Sequence, residues 1–120
     1  MTASDADNIA VLDFVKSRGN SIRLHSADPG KTGAAVIATT PASAATTWGA
    51  SAMGAGADTG YAVCAGTAAQ FTLPASTTAT HFGVYNGTTY LRGFPLDASL
   101  TSNAQPVPVD MTPRMRHQAL

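Results

Sequence analysis

His81-Phe82-Gly83-Val84-Tyr85-Asn86-Gly87-Thr88-Thr89-Tyr90-Leu91 is the stretch on which the fold turns. Two runs rich in aromatic and β-branched residues flank Asn86-Gly87, the dipeptide preferred by a tight type I′ turn, whose two central residues both take positive φ. The stretch predicts an antiparallel hairpin whose register is set by the turn.

Working back from the hairpin, short runs of the same kind recur. Ile22 and Leu24 alternate with Arg23 and His25, as on a strand with one buried face. Asp28-Pro29-Gly30 then reads as a turn, with proline fixing φ and glycine permitting its positive value. Further strands are expected over 34–39, 45–48, 61–65, 68–73, 80–85 and 88–94, with a last extended stretch over 107–111. Many short strands separated by turn residues favour an antiparallel β-sandwich or open barrel of about eight strands, because a parallel sheet needs repeated crossover helices.

One helix is expected, over 5–18. Ser4 or Asp5 can cap it, and Ile9, Val11, Leu12, Phe14 and Val15 place apolar groups on one broad face. Asp5 and Asp7 meet the positive end of its dipole, Lys16 and Arg18 the negative end, and Gly19 is the expected left-handed stop. The domain plan is a short extension over 1–3, a single β-rich domain over 4–111, and a C-terminal tail over 112–120. The glycine- and alanine-rich run 51–60 has little to bury and reads as a flexible loop.

Composition narrows the function. The chain has 120 residues, a formal net charge of zero and only 12% charged residues, with no glutamate. No basic footprint for nucleic acid stands out, and no apolar run approaches the ~20 residues of a membrane span. Asp5 and Asp7 lie where a secretory leader would be basic, so synthesis and assembly in the cytoplasm are expected. A surface so poor in charge suits a subunit covered by neighbours, hence a homo-oligomer or a member of a larger assembly.

The search for chemistry gives little. His25, His81 and His117 lack a paired ligand spacing, although His25, His81 and Asp28 would form a constellation if their strands were neighbours. Cys64, the single cysteine, reads as a small buried apolar residue. The seven aspartates are scattered, and the close pair in the first helical turn is explained by the dipole. No catalytic residue, cofactor or metal is expected. Arg114, Arg116 and His117 on the tail, and Tyr85 and Tyr90 on the hairpin, are the candidate partner-binding residues. Trp48, Phe71, Phe82, Tyr85, Tyr90 and Phe94 are expected to supply much of the core.

The run from Leu24 to Ala34, LHSADPGKTGA, resembles the LHTADPG-x-TGA opening of a family of small phage minor tail or tail-fibre proteins. Thr46-Thr47-Trp48-Gly49-Ala50-Ser51 is similar to the family's ITWGAAS strand. Phe71-Thr72-Leu73-Pro74-Ala75 and Thr80-His81-Phe82-Gly83-Val84-Tyr85 follow its F-x-VPAG and THFGLWD blocks in the same order. The resemblance spans about 7–91. The chain departs from the family at Ala35-Val36, over 39–46, and after Leu91.

The resemblance implies a non-catalytic structural protein of a tailed-phage virion, a minor tail or fibre-associated subunit packed against other virion proteins, without a cofactor. Two alternatives stand beside it. One is a capsid decoration protein that stabilises the head lattice; the other is a receptor- or carbohydrate-binding module that meets host-surface glycan through exposed aromatics.

Overall fold

The computed structural model describes residues 2–119. Its architecture is the one expected: mainly β, three antiparallel sheets arranged as a sandwich or open barrel, with one N-terminal α-helix.

Helix α1 spans Asp5–Lys16. The Ser4 hydroxyl accepts the Asp7 amide at 3.2 Å, satisfying one of the donors that a helix start leaves open. The helix stops two residues earlier than expected, at Ser17, which keeps a right-handed conformation and donates its amide to the Phe14 carbonyl. Gly19 is not the left-handed stop. Its role is close approach, since a Cβ there would lie 2.5 Å from the Tyr85 carbonyl oxygen.

The buried face of α1 also differs from expectation. Asn8 and Leu12 are buried, and Ile9 and Val15 pack against the core, whereas Val11 and Phe14 stay exposed. The helix packs on three of the strands that follow, and these choose which apolar side turns inward.

Among the described residues nine strands follow: β1 (Ser21–His25), β2 (Ala44–Ala45), β3 (Ala52–Met53), β4 (Ala62–Ala65), β5 (Ala69–Leu73), β6 (Thr78–Asn86), β7 (Thr89–Thr101), β8 (Val107–Met111) and β9 (Arg114–His117). The sheets run β2-β1-β6-β7, β3-β4-β9 and β5-β8. Helix α1 packs on β3, β4 and β9.

The hairpin of the opening stretch is β6–β7, with a different turn. Asn86 pairs with Thr89, so Gly87 and Thr88 form the loop. Gly87 has φ +62°, while Thr88 does not take positive φ. That is the φ pattern of a type II′ turn, which places glycine first. Leu91 is an extra residue between the Tyr85–Tyr90 and Val84–Arg92 pairs, a bulge that re-aims the strand beyond it.

Three further expectations are corrected. Residues 34–39 are not a strand: Ala35 has φ +63°, outside any strand conformation, and the segment meets the backbone of β1 through the Ile37 amide on the Leu24 carbonyl and the His25–Val36 bridge. The run 51–60 is not an unstructured loop, because it contains β3 and a short 3-10 turn over Gly56–Asp58. The C-terminal stretch is not a tail, because β9 pairs with β4 in the register Cys64↔Met115.

Paired amide–carbonyl bonds between Thr40 and Thr72 join the segment between β1 and β2 to β5, and the Gly66 amide on the Pro113 carbonyl ties β4's exit to β9. Between the sheets sit Leu12, Ile22, Leu24, Phe71, Phe82 and Met115, each at most 2% exposed. Each large side chain removed from water there contributes about 1.5–3 kcal/mol.

Candidate interaction surfaces

The segment that leaves β1, 26–34, folds as a loop pinned across one face of the β1–β6–β7 sheet. Asp28 caps its own turn by accepting the Gly30 amide at 2.9 Å, and the Pro29 carbonyl accepts the amides of Gly33 and Ala34. Two side chains then hold the loop down: the Tyr90 hydroxyl donates to the Gly30 carbonyl at 2.9 Å, and His25 Nδ1 donates to the Ala34 carbonyl at 2.7 Å. Gly83 and Gly93 leave room for this. A Cβ on Gly83 would lie 2.7 Å from His25 Nε2, and one on Gly93 would lie 2.6 Å from the Pro29 ring. The two sequence blocks around Leu24–Ala34 and Thr80–Tyr85 are therefore one physical unit.

His25 and His81 do sit directly across from each other on β1 and β6. They do not assemble with Asp28, whose carboxylate is spent on the turn. His25 has no solvent exposure and both ring nitrogens are engaged, Nε2 accepting from the Tyr85 hydroxyl at 3.0 Å. Burial holds its pKa below the ordinary histidine value, against the Ala34 bond that raises it, and the nearby Arg23 charge adds to the lowering. The geometry fixes one neutral tautomer, with the proton on Nδ1, and gives the ring a fastening role. His81 Nδ1 bonds the Thr80 hydroxyl at 2.8 Å. Cys64 is buried, and burial pushes its thiol pKa up, away from nucleophilic character. Among the described residues no group of three His, Cys or Asp side chains is placed to hold a metal ion.

The candidate partner residues on the hairpin are turned inward. Tyr85 is only 5% exposed, its ring beneath the Arg23 guanidinium at 4.8 Å and edge-on to Tyr90. Tyr90 is half-buried, with its hydroxyl committed to Gly30. An exposed aromatic row for glycan does not exist at these two positions.

The candidate residues at the C-terminal end lie together on β9. Arg114 forms ion pairs with Asp58 and Asp97, and Arg116 pairs with Asp58 at 3.3 Å while lying over the Tyr61 ring. The Arg114 guanidinium holds the Asp97 carboxyl below the usual carboxylate range. These residues, with Phe94, Pro95 and Leu96, line a cleft of about 210 Å³. His117 sits further along β9, opposite Ala62. The two arginines were visible in the sequence; Asp58 and Asp97 were not, and pairs separated by 56 and 17 positions carry no local signal.

A second, broader hollow of about 500 Å³ lies at the C-terminal end of α1, lined by Lys16, Arg18, Asn20, Trp48 and Asn86 among others. Lys16 is already held by the Gly49 carbonyl at 2.7 Å and by Asp13 at 3.1 Å, and the Trp48 indole donates to the Gly19 carbonyl. Arg18 differs: among the described residues no carboxylate lies within ion-pair distance of it.

Among the described residues the most exposed large apolar side chain is Phe14, 66% exposed, with Val11 beside it at 37%. Sequence periodicity missed this surface because α1 carries apolar residues on more than one side.

No family model matches the chain, and no curated protein or solved structure matches it. No helix among the described residues is long and apolar enough to cross a membrane.

Proposed function

We propose that the chain is a structural, non-catalytic subunit of a tailed-phage virion, a minor tail or fibre-associated protein that works by packing against other virion proteins. One observation carries the reading. The ADPG-type loop and the THFG-type strand, which resemble phage tail proteins, are bound to each other through the hydrogen bond between His25 and Tyr85, with Gly83 leaving room for the His25 ring. Residues that depend on each other in this way travel together as a folding unit, so their joint occurrence is more informative than any one block.

Two residues of the His25, His81 and Asp28 constellation are engaged in architecture: His25 fastens a loop and Asp28 caps a turn. The sparse charge of the whole chain fits a subunit with covered surfaces. A glycan-binding module receives no support from Tyr85, which is buried.

The test is mass spectrometry of purified particles with copy number determined. A tail or fibre subunit is expected in small multiples of three or six. Hundreds of copies in register with the head lattice would move the assignment to capsid decoration, and absence from the particle would end it.

A further inference from the structure

Helix α1 exposes a broad face that includes Asp5, Ala6, Ala10 and Asp13, and one stripe runs the length of it. Asp7, Val11, Phe14 and Arg18 are all solvent-exposed and follow each other at spacings of four, three and four, which places them along one side of a helix. Arg18 belongs to the stripe because the chain continues in a helical turn beyond Lys16, its amide bonding the Val15 carbonyl at 3.2 Å. Asn8 and Leu12, which anchor α1 to the body, lie on another side. The stripe thus has an acid at its start, a base at its end and two apolar side chains between.

Reversed, the stripe is its own complement. We propose that α1 packs antiparallel against α1 of a second copy of this chain, about a two-fold axis between Val11 and Phe14. Each Asp7 then faces Arg18 of the partner subunit, and each Val11 packs on Phe14 of the partner subunit. A two-fold interface requires such a self-complementary patch, in which the residue contacted by i in turn contacts i on the other copy. Antiparallel helices also set opposite dipole ends side by side.

Two observations favour a second copy over other occupants. Neither Asp7 nor Arg18 has an ion-pair partner within its own chain among the described residues. Arg18 also lies near Arg92, whose guanidinium pKa is held down by burial and then by the Arg18 charge, so a carboxylate brought to this end relieves an existing repulsion. A lipid surface is a poor fit, because membrane-lying helices flank their apolar stripe with several basic residues and this one has an acid at one end.

The pairing is weak for the free protein. Twelve helical residues span about 18 Å, and two such faces bury less than the roughly 1,200–2,000 Å² of a standard stable interface. It becomes effective where copies are already held side by side, through effective concentration. The inference stands on the helix alone and does not depend on a virion assignment.

Sedimentation velocity of the full chain, from micromolar to millimolar concentration, tests it. The expected result is reversible self-association that weakens as salt is raised and is lowered about tenfold or more by Phe14→Asp, with far-UV circular dichroism unchanged. Asp7→Arg and Arg18→Asp each abolish self-association alone. Mixed together they restore it, since one chain then presents two cations and the other two anions; the double variant also restores it. A chain that stays monomeric throughout, or self-association untouched by Phe14→Asp, overturns the proposal. Failure of the mixture to associate, with both variants folded, overturns the antiparallel register.

Discussion

The Tyr85 hydroxyl donates a hydrogen bond to Nε2 of His25 at 3.0 Å, across 60 positions of sequence and with the imidazole wholly out of solvent. Since the Ala34 carbonyl can only accept, the same ring must donate from Nδ1 on its other side. Tyr85→Phe removes the donor and leaves a buried Nε2 unsatisfied, at a cost of about 1–3 kcal/mol. Urea denaturation of the variant should show a lower midpoint with an unchanged slope; an unchanged midpoint would mean that water replaces the hydroxyl.

The state of His25 makes stability depend on pH. Its folded pKa lies below the ordinary 6.5 because burial disfavours the imidazolium, while the unfolded chain titrates near 6.5. Above that value the ring is neutral in both states and its contribution to stability is fully present. As pH falls through 6.5 towards the folded pKa, the unfolded chain takes up a proton that the folded chain refuses, and stability is lost by up to about 1.4 kcal/mol per pH unit. Thermal denaturation between neutral and mildly acid pH should show this decline, and imidazole nitrogen shifts should report a neutral ring protonated on Nδ1. A His25 that titrates at its ordinary value within the folded protein would contradict the geometry.

Gly83→Ala should disturb the same unit by steric means. The added methyl meets His25 Nε2 at 2.7 Å and the Tyr85 ring at 2.8 Å, neither of which can retreat without breaking its hydrogen bond. A loss of about 1–3 kcal/mol is expected, with faster hydrogen exchange at the Gly33 and Ala34 amides, which the loop protects through the Pro29 carbonyl.

Among the ion pairs, position decides the outcome. The Asp58 side chain is 16% exposed and meets both Arg114 and Arg116, whereas Asp97 is 65% exposed and meets Arg114 alone. Asp97→Asn should therefore change stability by no more than about 0.5 kcal/mol, as for a solvated pair, and Asp58→Asn by more, because it leaves a partly sheltered arginine pair without its shared carboxylate. Exchange at the β9 amides should rise in the second variant only. Equal effects would show that the cleft is as wet as the open surface.

The chain announced its architecture through local signals and withheld what depends on distant partners. Ser4 with Asp5 and Asp7 marked the helix start, and the alternation Ile22, Arg23, Leu24, His25 marked β1. Asn86-Gly87 marked the hairpin but not its turn, because Asn86 is drawn into the ladder opposite Thr89. The inward side of α1 was not legible, since apolar residues lie on both sides and Asn8, a polar residue, is buried by its bond to Ala119. β9 was missed for the same reason: Arg114-Met115-Arg116-His117 is extended because β4, some 50 positions earlier, offers it an open edge. The candidate surfaces follow suit. Arg114 and Arg116 were visible as charges, while the acids that hold them and the exposure of Phe14 belong to the tertiary arrangement.

The bond from the Ala119 amide to the Asn8 carboxamide oxygen, 3.1 Å long, spans 111 positions. Helix α1 also packs on β4 and β9, strands some 50 and 100 positions away. Until those strands are in place, the side of α1 that carries Leu12 is as open to water and to neighbouring chains as the side that carries Phe14. A helix covered only by distant strands gives this small domain an interval of vulnerability that a fold built from local contacts would avoid.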